Sequence, residues 1–499
     1  MASTTPAAEL RQFIAGKWED GGGPDLVSSN PARPAETVAV GKQASPEQLE
    51  RAVEAAADAA RAWASVPMHE RGAVLLRAAG LLEAAADELG LELAREEGKT
   101  LAEGRGEVLR AAQILRYYGN EGDRAAGEVF SSPRRGEQIL VVRKPLGVIG
   151  VVTPFNFPIA IPAWKIAPAL AYGNTVVWKP ASTVPLLAQR LAEALDEAGL
   201  PKGVLNLVMG PGKLGTALVE HPLLDGLTFT GSTGVGRCLT AAGAARGVPV
   251  QAEMGGKNAA VVLAGADLDL AAEQVLFGAF RSTGQKCTAT SRLIVEESVA
   301  GDFLARLTAR LGDWNTGDPT GTSVQMGPLV SAAAAQDVRA GIDAALSGGA
   351  RLLFQGSMPD GAGTESAFVP PAILELPADA DAAESNPAWT EEFFGPVLAF
   401  RRASSAAQAF EWAGQGEYGL SAAVFTQDVT RVLDAVEGID VGILHVNSES
   451  AGADPHVPFG GARKSGYGPK EQGQSAKEFF THTTTVYLRG GTPGQGPLS

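Results

Sequence analysis

The sequence predicts an α/β protein with two doubly wound parallel sheets and a small additional β element. From Gly147, strand-like and helix-like runs alternate for more than a hundred residues, the rhythm of stacked βαβ units. A second alternating block runs from Asp267 to about Val446. Two strand-like runs, Gln138–Arg143 and Thr483–Leu488, lie apart from both. At 499 residues the chain is too long for one ordinary core, so more than one domain is expected.

After a polar start, Ser45-Pro46-Glu47-Gln48 opens a helix with a cap residue, a proline at N1 and a glutamine at N3. Leu49, Val53, Ala56, Ala57, Ala60 and Trp63 follow at helical spacing. Further helices are expected from about His69 to Glu97 and from Leu101 to Tyr118. The first alternating block has strands at Val148–Val152, Thr175–Lys179, Val204–Met209, Leu227–Thr230 and Asn258–Leu263. Helices at Ala160–Tyr172, Val184–Ala198, Lys213–Glu220 and Gly234–Ala245 separate them. In the second block a helix over Asp267–Arg281 precedes strands near Leu293, Ala367, Leu398, Ala422 and Ile443. The two outlying runs suit one small sheet whose edges another subunit could cover. The Gly/Pro-rich tail, Gly490 to Ser499, is expected to be loose.

Composition excludes several function classes. The formal net charge of −15 does not favour nucleic acid or an anionic membrane surface. Two cysteines, Cys238 and Cys287, build no disulfide framework and fit no zinc spacing, so a reducing, cytoplasmic setting and no metal are expected. Met1 to Glu9 lacks the basic and apolar regions of a signal peptide. The most apolar stretch, Val148 to Val177, is interrupted by four prolines, Lys165 and Asn174, which argues against a membrane span.

Five motifs carry the chemistry. Gly284-Gln285-Lys286-Cys287-Thr288 lies on a loop between a helix and a strand, where a thiol can be held firmly yet stay open to a substrate. A buried filler is the alternative reading of Cys287. Asn156, between Pro154 and Pro158 after the first strand, is either a turn residue or a fixed amide donor for an oxyanion. Lys179 ends the next strand, where a parallel sheet binds nucleotides. Gly231-Ser232-Thr233-Gly234 offers free backbone N–H groups to a pyrophosphate, and Gly210-Pro211-Gly212-Lys213-Leu214-Gly215 fits a second glycine pattern. Glu253, ahead of Gly255 and Gly256, can reach a cleft and take a proton from water.

Taken in order with Glu392-Phe393-Phe394-Gly395-Pro396 and Pro458-Phe459-Gly460-Gly461, these motifs resemble the aldehyde dehydrogenase superfamily over nearly the whole chain. The resemblance implies an aldehyde dehydrogenase-like fold in three parts. The NAD(P)-binding domain would comprise 1–127 and 147–255, the catalytic domain 256–460, and the oligomerisation element 128–146 and 461–499. It also implies a mechanism. Cys287 attacks the aldehyde, Asn156 and the Cys287 backbone N–H hold the oxyanion, and Glu253 activates water to hydrolyse the thioester. Lys165 and Glu471 would relay protons. Glu392 and Phe394 would position the nicotinamide, with Phe155, Met254, Gly255, Gly212, Gly231 and Ser232 lining the cofactor site. A homodimer or homotetramer follows from the same source.

Ser182 stands where NAD-preferring members often carry a glutamate. A carboxylate there would repel a 2′-phosphate, whereas serine accommodates it and Lys179 can pair with it, so NADP is the expected acceptor, with NAD tolerated. The segments Phe280–Arg292 and His445–Gly461 are most similar to 2-oxoglutarate semialdehyde (2,5-dioxopentanoate) dehydrogenases. Arg281 would grip the distal carboxylate of such a substrate, or make a structural ion pair. Phe157, Trp164, Ser448 and Ser450 are the other expected tunnel walls. Another semialdehyde, such as succinate semialdehyde, or a neutral aromatic or aliphatic aldehyde is the alternative substrate. A CoA-acylating enzyme is disfavoured by Glu253, and a silent binding protein by Cys287, Glu253 and Asn156 together.

Overall fold

The computed structural model describes residues 6–125 and 127–490. Two large sheets organise them. The first runs, from edge to edge, Gly466–Tyr467, Val250–Glu253, Gly226–Thr230, Val148–Val152, Thr175–Lys179, Leu205–Leu207, Gln12–Ile14 and Lys17–Glu19. Its five central strands are parallel, and the outer ones are antiparallel. The second runs Arg351–Gln355, Ala372–Glu375, Val397–Ala403, Thr290–Glu296, Asn258–Val262, Ser421–Phe425 and Ile443–Val446, parallel except at its first strand. Helices cover both sheets, so the central strands are near-continuous apolar runs such as Val148–Val152 and Asn258–Val262, buried along their whole length.

Several elements follow directly from local chemistry. Ser45 and Gln48 form a reciprocal capping box at helix Pro46–Ser65, and Thr100 and Glu103 form another at helix Leu101–Gly119. The expected helix from His69 to Glu97 is instead two, Met68–Ala84 and Ala86–Glu97. The break falls at Ala85, whose φ of −97° and ψ of 9° are not helical. The strand expected near Ala367 begins at Ala372, because Pro370 and Pro371 cannot donate to a ladder. The polar start holds five strands between Ala8 and Lys42, four of them of three to six residues, and two of these extend the first sheet.

The outlying runs pair as expected. Thr481–Arg489 lies antiparallel to Glu137–Pro145, which also pairs with Gly127–Ser131. Part of the tail, residues 491–499, lies outside the described residues. Strand Gly466–Tyr467 joins the first sheet beside Glu253, so this piece of the 461–499 segment serves the site. Among the described residues no helix is long and apolar enough to cross a membrane, and no cluster of three His, Cys, Asp or Glu side chains could hold a metal.

Candidate active site

The chain passes through the site as it crosses between the sheets. Glu253 ends the last parallel strand of the first sheet, Gly255 and Gly256 make the crossing, and Asn258 opens a central strand of the second. A side chain at Gly256 would meet fixed backbone, and one at Gly255 would displace the Glu392 carboxylate. A Cβ on Gly255 would lie 2.0 Å from the Glu392 carboxylate, and one on Gly256 would lie 2.6 Å from the Cys287 carbonyl.

The Cys287 loop is held by a left-handed turn. Ser282, Thr283 and Gly284 have φ of 54°, 54° and 70°, and the two non-glycine residues carry strain of roughly 1–3 kcal/mol each. The surroundings fix them: the Ser282 N–H donates to Glu103 Oε1 at 2.7 Å, and Thr283 Oγ1 donates to the Gly327 carbonyl at 3.1 Å. Asn258 clamps the other side, its amide donating to the carbonyls of Cys287 (2.7 Å) and Ala289 (2.9 Å).

Asn156 is buried, and its side-chain amide donates to the Gln285 carbonyl at 2.8 Å, two residues before the thiol. One N–H of that amide is therefore spent on orientation, and the second is free for a substrate oxygen. The Asn156 carbonyl accepts from Lys99, which is also 2.7 Å from Glu107. Glu107 in turn accepts from the N–H groups of Ile159 and Ala160. Lys99, Glu107 and Asn258 were not singled out as site residues in the sequence. Their neighbours in sequence are ordinary helix and strand residues, and only the fold brings them to the thiol.

Glu253 accepts from the Gly461 N–H at 3.0 Å. Burial, with the nearby Glu471 carboxylate, pushes its carboxyl well above the usual range. Gly460 has a φ of +150°, and a Cβ there would stand 2.3 Å from Glu253 Oε1. Lys165, fully buried, donates to Thr228 at 2.9 Å and pairs with Glu471. Cys287 is pushed up to about 12 by burial, then by the charges of Glu392, Glu253 and Glu471. Lys286 is turned to the Phe277 carbonyl (3.1 Å) and toward Glu449 (3.6 Å), and burial lowers its pKa.

Two cavities meet at Cys287. The larger, about 610 Å³, is lined by Phe155, Asn156, Lys179, Ser182, Gly212, Gly231, Ser232, Met254, Gly255, Glu392 and Phe394 as well as the cysteine. It opens along the C-terminal ends of the first sheet's strands, as nucleotide clefts do. Its far end suits a phosphorylated ligand: Lys179 is buried, has no acidic partner among the described residues, and is lowered to about 8 by desolvation. Gly212 has open space where a Cβ would be, and the Thr230 hydroxyl, which lines the cavity, is buried with no partner among the described residues. Ser182 donates to the Gly210 carbonyl at 2.6 Å, tying the loop after strand Thr175–Lys179 to the Gly210–Gly215 turn. Near the thiol, Glu392 accepts from the Gly256 N–H at 3.0 Å, burial raises it to about 7, and Phe394 packs edge-on to Phe155 at 5.8 Å. A nicotinamide dinucleotide fits this arrangement of donors, cation and aromatic faces.

The smaller cavity, about 280 Å³, reaches Cys287 from the other side. Phe157, Trp164, Phe459 and Thr288 line it, and charged residues, Arg110, Glu103, Arg281, Lys286 and Glu449, surround them. Trp164 stacks at a tilt on Phe459, 5.4 Å between rings. Ser448 and Ser450 are not on this wall. Ser448 contacts His445, and the fully buried Ser450 donates to the Thr288 carbonyl at 2.8 Å and meets Thr290 at 2.8 Å. Ser450 braces the cysteine loop from behind.

The aldehyde dehydrogenase family model matches residues 18–486. An alpha-ketoglutaric semialdehyde dehydrogenase of Bacillus subtilis is 42% identical over 98% of this chain and 100% of its own length. Among solved structures, an NAD-dependent aldehyde dehydrogenase from Sinorhizobium meliloti superposes with a TM-score of 0.93 at 31% identity, covering 98% of this chain and 96% of that one. An E. coli NADP-dependent enzyme gives 0.91 at 32% identity, covering 97% and 98%. A family match of this extent, on a fold that gathers a cysteine, a glutamate and an asparagine between two cavities, identifies the chain as a member of the aldehyde dehydrogenase family.

Proposed function

We propose that the protein oxidises 2,5-dioxopentanoate (2-oxoglutarate semialdehyde) to 2-oxoglutarate with NADP in the cytoplasm. The observation that carries the reaction type is the convergence of two cavities on Cys287. The substrate assignment is supported by the Bacillus relative and by the cations around the smaller cavity.

An aldehyde entering the smaller cavity meets Cys287, which, after its proton has passed to solvent, attacks the carbonyl carbon as the thiolate. The negative oxygen that forms is held by the free Asn156 N–H and the Cys287 backbone N–H. Lys179, Glu392 and Phe394 would hold a nicotinamide dinucleotide in the larger cavity, where it would supply the hydride acceptor that oxidation of the Cys287 adduct requires. Glu253 then takes a proton from water as the water attacks the thioester carbon, and Cys287 leaves with the acid released. A carboxyl with a raised pKa is a stronger base once ionised, which suits this role. Lys165 and Glu471, buried beside Thr228, are placed to pass that proton onward.

The NADP preference rests on the far end of the large cavity, where Lys179 has no acidic partner among the described residues and Ser182 adds no charge. A 2′-phosphate would give Lys179 its counter-ion. We assign the cofactor domain to 1–127 and 147–255, the catalytic domain to 256–460, and oligomer assembly to 128–146 and 461–499. A panel of aldehydes with each cofactor tests the reading. 2,5-Dioxopentanoate with NADP should give the highest kcat/KM, and Ser182→Glu should move the preference toward NAD by tenfold or more. Wild type strongly preferring NAD, or a neutral aldehyde of the same length being oxidised as well, would overturn the corresponding half.

A further inference from the structure

The mouth of the smaller cavity holds a charge cluster that the reaction itself does not use. Arg281 lies there with its guanidinium over the Phe277 ring, 3.6 Å from the centroid, and its side chain 45% exposed. Lys286 lies deeper, buried, its ammonium bonded to the Phe277 carbonyl. Between them stands Glu449, with one carboxylate oxygen 3.9 Å from Arg281 and the other 3.6 Å from Lys286. All three line the cavity. The backbone fixes Glu449 in place, since its N–H donates to Gln274 Oε1 at 3.1 Å.

Both distances exceed hydrogen-bonding range. Glu449 therefore meets the two cations as the shared carboxylate of a pair of long ion pairs, and it acts on them chiefly through its charge. A substrate that carries its own carboxylate to Arg281 must settle beside this residue, and like charges that close in a partly desolvated site repel.

We propose that Glu449 is a built-in rival of the substrate's distal carboxylate and sets the selectivity between carboxylated and neutral aldehydes. This rests on the semialdehyde reading above. It turns Arg281 from a grip into a contested one: the cation attracts an ω-oxo acid, and Glu449 limits how tightly.

The test compares wild type, Glu449→Gln and Glu449→Asp with 2,5-dioxopentanoate and with pentanal, and measures inhibition by glutarate, an unreactive dicarboxylate. Glu449→Gln should raise the ratio of kcat/KM for charged over neutral aldehyde at least fivefold, through KM rather than kcat. It should lower the glutarate inhibition constant by a similar factor. Glu449→Asp, which keeps the charge, should stay within about twofold of wild type in both. An unchanged or lowered ratio together with an unchanged glutarate constant would overturn the proposal, as would Asp and Gln behaving alike. Tighter glutarate binding in Glu449→Gln, in an enzyme that never prefers the charged aldehyde, would sustain the role of Glu449 and sink the substrate assignment instead.

Discussion

Cys287 is surrounded by acid. Burial and the carboxylates of Glu392, Glu253 and Glu471 push its thiol from an ordinary value of 9.0 up to about 12, so the neutral form dominates at physiological pH and the reactive thiolate is scarce. Without cofactor, alkylation by iodoacetamide should be slow near neutrality. Its rate should climb roughly tenfold per pH unit through about pH 10, with no levelling near the ordinary thiol value. Glu392→Gln removes the largest of the opposing charges and should speed alkylation at every pH in that range. A plateau at or below pH 9.0 in wild type would contradict this electrostatic picture. The proposed nucleophile was marked in the sequence by Cys287 lying among hydroxyls and beside a lysine, and it was separated from a buried filler only together with Glu253, Asn156 and the family resemblance. Its surroundings were not, because Lys286 adjoins it in sequence yet points at Phe277 and Glu449.

At the level of elements, helix Leu101–Gly119 does more than pack. Glu107 accepts from the first N–H groups of helix Ala160–Ala171, and its partner Lys99 holds the Asn156 carbonyl. The Lys99–Glu107 pair is almost wholly buried, at 2% exposure for each side chain. Lys99→Met would leave Glu107 charged and unpaired, a cost of about 3–5 kcal/mol. Thermal unfolding should show the loss, and whatever folds should have a reduced kcat because Asn156 is no longer positioned. Unchanged melting and kcat would rule out the linkage. Helix starts were readable where a cap residue and its N3 partner occur together, as at Ser45 and Thr100. Most strands between Ala8 and Lys42 were not, because three to six residues carry too little alternation to separate them from loop, and the partners that stabilise them lie far away, such as Leu207 opposite Phe13.

For the whole molecule, the small three-stranded sheet presents apolar side chains that this chain does not cover. Val129, Phe130, Tyr487 and Leu488 are exposed there, and Val429, Leu433 and Val436 form another exposed row on helix Val429–Gly438. Patches of this kind mark association surfaces, and a homodimer or homotetramer is the assembly we expect. Light scattering should report a dimer or tetramer for wild type, and Phe130→Glu with Leu488→Glu should shift it toward monomer. A monomeric wild type would end the expectation. The doubly wound architecture was legible because the βαβ rhythm is a local signal repeated many times. The meeting of Glu253, from one sheet, with Lys165 and Glu471, from distant segments, was reachable only through family resemblance, because no local pattern encodes a contact across 306 residues.

That Cys287 borders both cavities has a consequence for traffic. If the proposed roles hold, the two ligands would come to one sulfur through separate cavities, and neither would have to leave for the other to pass. Used dinucleotide could then be exchanged for fresh while the acyl group still sits on Cys287, and a spent acid could depart with the dinucleotide still in place. On that reading the geometry imposes no queue, and the order of arrival and departure would be set by affinity rather than by obstruction.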